Sequence, residues 1–359
     1  MKEYSTESIR NVTLISHSGA GKTTLGDAML FLSGGNDRFG KVDDATSILD
    51  FEPEEIRRKT TISTSIAPVE WKNRKVNILD TPGYFDFVGE VRSSLKIGDG
   101  AVIIVDAGGG VEVGTELVWQ YASEYKVPRM FVVNKLDREN TAFDTVLGQL
   151  NNAFGGRVVP LYLPIGKQAD FKGVVDIIAN KAYSFGTDGK AVDAAVPEDM
   201  ADDIAEAKEQ LKEAACDGDD ELMEKYLEEG DLSDEEILKG LRLASIAGSV
   251  FLAVPTSAAK LVGVPQVLDA IVQYLPSPKD VPAVIGKVPG QDTEVTREAS
   301  DAAPFSALVF KTTADPYVGK LTVFRVYSGK FQSNVPCFNS TRGKVERVGQ
   351  LYTVKGKTQ

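Results

Sequence analysis

Four short stretches carry residue types that hold a nucleoside triphosphate. Ser16-His17-Ser18-Gly19-Ala20-Gly21-Lys22-Thr23-Thr24 joins flexible glycines to a lysine and a threonine. Glycine lets successive backbone N–H groups close round phosphate oxygens, lysine reaches the β- and γ-phosphates, and the Thr23 hydroxyl suits Mg²⁺. The stretch keeps the pattern GxxxxGK[ST] except at its first position, where Ser16 stands for glycine. In Asp80-Thr81-Pro82-Gly83, the carboxylate suits a water bound to Mg²⁺ and the Gly83 N–H suits a γ-phosphate. Asn134-Lys135-Leu136-Asp137 ends in a carboxylate that accepts from guanine N1–H and the 2-amino group. Adenine offers no such pair, so Asp137 selects GTP over ATP. Thr61 follows a flexible segment and offers a second hydroxyl to Mg²⁺, while Ser257, Ala258 and Ala259 suit a backbone contact to guanine O6. These residues imply GTP or GDP with Mg²⁺: Thr23, Thr61 and Asp80 for the metal, Lys22, Thr61 and Gly83 for the reacting phosphate.

Each motif follows an apolar run of strand character. Runs at 9–15, 75–79, 101–105, 129–133 and 250–254 read as buried strands, with helices expected after residue 24, at 117–125 and at 266–275. The residues between 36 and 59 read as a long polar loop. The pattern predicts an α/β P-loop GTPase domain, a mostly parallel sheet with helices on both faces. About 120 residues separate Asp137 from Ser257, so an α+β unit is inserted there. It has strands at 158–165 and 174–178, a hairpin at 183–192, acidic helices over 198–229, and Ser233 and Glu236 as a capping box. Residues 277–302 read as a linker, and 303–359 as part of an all-β barrel. The expected division is 1–157, 158–249 (acidic insertion), 250–276, 277–302 and 303–359. So few residues are thin for a closed barrel, and the chain is expected to be a fragment of a longer protein.

The 359 residues are 42% hydrophobic, as in ordinary globular proteins, and no apolar run is long enough to span a membrane. The N-terminus lacks an apolar signal region, which predicts a cytoplasmic chain. Cys216 and Cys337 stand in different expected domains and read as idle thiols. The net charge of −12 argues against DNA, but it is unevenly spread. Residues 193–236 hold nineteen carboxylates against three lysines, whereas 303–359 hold nine basic residues against two acidic ones. That basic end suits either RNA phosphates or plain solvent.

With these residues in hand, the chain resembles the N-terminal part of translational GTPases of the elongation factor G family over essentially its whole length. The resemblance rests on residues 17–23, 58–62, 80–87, 134–137 and 314–321, the last being Ala-Asp-Pro-Tyr-Val-Gly-Lys-Leu. It implies a G domain with an inserted G′ subdomain that faces the ribosomal stalk protein, and a domain II that faces ribosomal RNA. It further implies a cytoplasmic monomer that hydrolyses GTP on the ribosome during translocation. His17 stands where relatives also have a histidine, which implies a structural role. Tyr84 stands where elongation factor G carries the histidine that orients the attacking water, which adds Tyr84 to the expected catalytic residues. Lys59 replaces a glycine of the switch I motif. Together with Ser16, these departures point toward elongation factor G-like paralogues. Two alternatives share the fold: a GTP-gated ribosome-binding module with weak hydrolysis, and a ribosomal protection GTPase.

Overall fold

The computed structural model describes residues 2–155, 157–315 and 319–358, so part of the 314–321 motif lies outside the described residues. Its centre is a seven-stranded sheet in the order β2-β3-β1-β4-β5-β11-β6. These strands are β1 (Ile9–Ser16), β2 (Ser65–Trp71), β3 (Arg74–Asp80), β4 (Gly100–Asp106), β5 (Arg129–Asn134), β6 (Arg157–Pro160) and β11 (Val250–Pro255). All pairs are parallel except β2 with β3. That exception is a tight hairpin whose two turn residues, Lys72 and Asn73, both have positive φ, the geometry that matches strand twist. Parallel strands covered on both faces bury every position, which is why β4 and β5 are continuous apolar runs.

Helices cover the sheet and begin where the sequence motifs end. They are α1 (Lys22–Leu32), α3 (Val88–Ile97), α4 (Val113–Glu124), α5 (Phe143–Phe154) and α9 (Val264–Tyr274). A short α2 (Pro53–Arg58) interrupts the stretch expected to be a loop. Its proline in the first turn and the reciprocal Glu52–Glu55 capping box stabilise it despite its length.

The run at 158–165, expected as one strand, is two. Its first part is the β6 edge of the main sheet, paired with β11, and after Leu161 the chain enters a second sheet as β7 (Tyr162–Ile165). That sheet continues with β8 (Gly173–Asp176), β9 (Lys181–Phe185) and β10 (Ala191–Ala194), all antiparallel. Helices α6 (Ala201–Cys216), α7 (Asp220–Glu229) and α8 (Asp234–Ala247) follow, and α8 opens with the expected Ser233–Glu236 box. The buried residues of both sheets form one continuous core. Residues 277–302 are not wholly irregular: β12 (Val284–Lys287) pairs with β13 (Glu294–Arg297). Beyond them, β14 (Ser306–Asp315) pairs with β15 (Gly319–Ser328) and β16 (Pro336–Asn339) with β17 (Lys344–Arg347), all antiparallel. Phe305 stacks on Phe331 at 4.3 Å between ring centres, and Phe324 meets the same ring edge-on. Among the described residues, no helix is long and apolar enough to cross a membrane.

Candidate nucleotide site

The site lies at the carboxyl ends of β1, β3, β4, β5 and β11, where an open α/β sheet presents its loops. After β1, Gly19 and Gly21 adopt positive φ of 79° and 97°, and α1 begins at Lys22. A side chain on Gly21 would meet Asn134 Nδ2 at 2.5 Å, so glycine is needed there for space as well as for φ. Gly83 is constrained by proximity alone, since a Cβ would lie 2.6 Å from Lys22 Nζ and 2.8 Å from Ser18 Cα. Ser16, the departure from the usual pattern, has a visible use. Its hydroxyl accepts from Lys22 Nζ at 2.7 Å and donates to the His17 carbonyl. The Lys22 ammonium is buried, which pushes its pKa down to about 8 against the opposing pull of Asp80 and Asp50.

Thr23 and Thr61 lie 38 positions apart in sequence, and their hydroxyl oxygens are 2.9 Å apart. Asp80 is fully buried beside them, and neither of its oxygens meets a donor at hydrogen-bonding geometry among the described residues, although the Thr23 hydroxyl lies close. Burial, then the nearby Asp50, push its pKa well above the usual carboxylate range, against the pull of Lys22 and the Thr23 hydroxyl. Two hydroxyls beside a buried, unpartnered carboxylate make a hard-oxygen donor set that fits Mg²⁺.

The loops expected to read the base are tied to one another by side chains. Asn134 Nδ2 donates to the Ala20 carbonyl at 2.9 Å, and Asn134 Oδ1 accepts the Ala258 N–H at 2.9 Å and the Thr256 hydroxyl at 3.3 Å. Lys135, held at φ 66°, reaches back to the Gly19 carbonyl and pairs with Asp106 at 2.6 Å. The Ser257 hydroxyl donates to Asp137 Oδ1 at 2.6 Å, with Lys260 3.9 Å from the other oxygen. Ala259 is exposed beside them, and Thr24 is half-buried in the first turn of α1.

Tyr84 and Phe85 are each 50% exposed, and the Tyr84 hydroxyl has no partner among the described residues. The His17 ring meets Phe85 edge-on at 6.1 Å and lies 3.6 Å from Glu112, its backbone pressed against Gly114. Nothing in this packing brings His17 to the Lys22 ammonium side of the loop except its carbonyl, which accepts from Lys22 at 3.4 Å.

Three residues of the site were not anticipated. Asp106 ends β4 and pairs with Lys135; its position at a strand end was the available signal. Glu55 is buried and accepts the N–H groups of Ile62 and Ser63; its signal was the capping box with Glu52. Asp50 is buried next to Thr61, and no local pattern marks it.

A family model for the elongation factor Tu GTP binding domain matches residues 7–277, and one for elongation factor G domain 2 matches residues 304–359. The chain belongs to the elongation factor G family of translational GTPases. A crystal structure of a Thermus thermophilus protein is similar to this member of the family, with a TM-score of 0.85 and 31% identity over 98% of this chain. The match covers 50% of that protein, so the chain spans about half the length of this relative. The family's domain binds guanine nucleotides, and the loops that gather Asn134, Asp137 and Ser257 at one end of the sheet belong to that matched domain.

Proposed function

We propose that this protein binds and hydrolyses GTP with Mg²⁺ and acts on the ribosome, in the manner of a translocation factor. The observation that carries the reading is the Thr23–Thr61 approach of 2.9 Å next to the unpartnered Asp80 carboxylate. It draws the segment ending at Thr61 down over the phosphate loop, the arrangement a bound γ-phosphate favours. In this reading Lys22 moves from Ser16 to the phosphate oxygens, joined by the amides of residues 18–24. Thr23 and Thr61 would hold Mg²⁺, with Asp80 acting on it through a bound water. Mg²⁺, when bound, neutralises charge gathering on the phosphate oxygens. Gly83 donates its N–H to the γ-phosphate, and Tyr84 swings from solvent to orient the attacking water. Asp137 reads N1–H and the 2-amino group. Since Asn134 already takes the Ala258 amide, the neighbouring Ala259 amide is the donor we assign to guanine O6. The acidic insertion is the surface for the stalk protein and the basic 303–359 segment the surface for ribosomal RNA, with the protein acting as a cytoplasmic monomer.

A second reading is favoured by Tyr84 itself. With a hydroxyl free of protein partners and half the residue exposed, nothing among the described residues holds the tyrosine where an orienting group must stand. The protein would then be a GTP-gated ribosome-binding module with slow turnover. The deciding measurement is the GTP hydrolysis rate with and without ribosomes at one salt and Mg²⁺ concentration. Strong stimulation supports the enzyme; intact binding with an unchanged rate supports the gated module.

A further inference from the structure

Lys311 lies on β14, in the segment matched to domain 2, yet its ammonium is largely buried against the stretch that follows Thr61. It donates to the Ser63 hydroxyl and to the Thr64 carbonyl, two and three residues beyond Thr61. Glu90 of α3 stands 3.8 Å away and accepts the Thr64 N–H at 2.7 Å. Glu55 accepts the N–H groups of Ile62 and Ser63 at 2.9 and 3.1 Å. Residues 62–64 are therefore held from three directions: by α2, by the helix after Gly83, and by β14.

We propose that Lys311 is a positioning residue for Thr61, holding its hydroxyl over Thr23 and so making the triphosphate-binding state depend on the seating of β14 against the nucleotide domain. The proposal rests on the GTP reading above. A largely buried ammonium stripped of its acceptors is costly, so opening of the Thr61 segment and release of Lys311 are coupled. Burial lowers the pKa of the Lys311 ammonium, and the carboxylates of Glu90, Glu55 and Glu52, which face it, oppose that shift. Other contacts keep β14 and β15 in place without touching residues 61–64. Arg325 pairs with Asp99 at 2.5 Å and donates to the Ile97 carbonyl, and the Ser93 hydroxyl donates to the Phe310 carbonyl at 3.2 Å. Loss of the Lys311 charge thus unties the Thr61 segment and leaves the two parts of the chain joined.

The test compares Lys311→Met and Lys311→Arg with the parent in the full chain. The first readout is affinity for a non-hydrolysable GTP analogue and for GDP. The second is trypsin cleavage at Arg57, Arg58 and Lys59, whose side chains are 71%, 60% and 56% exposed and report opening of the segment. The expected result is a loss on the order of tenfold in analogue affinity for Lys311→Met, with GDP affinity unchanged. Analogue-bound parent should resist trypsin where Lys311→Met does not, and Lys311→Arg should recover the protection. Equal weakening of both nucleotides, or parental behaviour of Lys311→Met in both assays, overturns the proposal. A parent that binds neither nucleotide overturns the GTP reading itself, and the proposal with it.

Discussion

Asn134 Oδ1 accepts the Ala258 N–H at 2.9 Å, joining the end of β5 to the loop after β11 across 124 positions of sequence. The same side chain donates to Ala20, so one amide aligns the phosphate loop with both loops expected to read the base. Truncation in Asn134→Ala leaves the Ala258 N–H and the Ala20 carbonyl buried without partners. Each such group costs about 1–3 kcal/mol. The variant should lose about 2–6 kcal/mol in urea unfolding and bind guanine nucleotides more weakly, as read by titration with a fluorescent GDP.

Asp137 Oδ1 accepts from the Ser257 hydroxyl at 2.6 Å, and Lys260 stands 3.9 Å from its other oxygen, the edge we assign to the base. Asp137→Asn replaces an acceptor with a donor, so guanine should lose its advantage and xanthine nucleotides should gain one, by roughly 100-fold in relative affinity. Competition between GDP and xanthosine diphosphate checks this. A variant that still prefers guanine contradicts the base-reading role.

Tyr84 separates the two proposed readings. A histidine at this position would be shorter than the tyrosine and would offer imidazole nitrogens in place of a phenol hydroxyl. If the protein is a gated binding module, Tyr84→His should raise ribosome-stimulated hydrolysis by at least about tenfold, the scale of general acid–base and positioning effects. No gain would mark an enzyme adapted to tyrosine.

Asp27 gives a pH signature inside the fold. Burial pushes its carboxyl up to about 6, although the Ser47 hydroxyl and the Ile48 N–H, the latter at 3.0 Å, pull it back. A folded-state pKa above the unfolded value means that the folded state binds more protons. The stability contributed by this group is full below about pH 4 and is lost as pH rises through about 6. Asparagine does not titrate, so the stability of Asp27→Asn relative to the parent should climb between about pH 4 and 6. The slope is at most about 1.4 kcal/mol per pH unit. Urea unfolding at a series of pH values tests it, and a flat difference would count against a buried, shifted Asp27.

Lys59 ends α2 in the left-handed conformation, φ 53° and ψ 45°. A residue with a Cβ pays about 1–2 kcal/mol there, which glycine avoids while losing some unfolded-state entropy. Lys59→Gly should therefore raise stability by about 0.5–1 kcal/mol, measurable as a higher melting temperature.

Four of the motifs could be placed from sequence because each is a local constellation at the end of an apolar run, whereas Thr61 stands before a strand; the parallel sheet follows from those runs being buried on both faces. Two sequence expectations failed for physical reasons. The 158–165 run divides between two sheets because hydrophobic character alone does not say which partner strand a residue meets. The α2 helix was missed because six residues are too few for periodicity, and only its caps and its packing hold it.

The sequence by itself determined the order of the strands' motifs, the glycines and lysine after β1, the Asp137 carboxylate that we propose reads guanine, and the uneven charge. Those depend on residue type and short spacing. Only the tertiary structure decided that Thr61 comes to 2.9 Å from Thr23, that Asp50 is buried beside it, and that Lys311 reaches across from β14 to Ser63 and Thr64. Those contacts span tens to hundreds of positions, and what fixes them is the burial of polar groups that must find partners wherever the fold brings them.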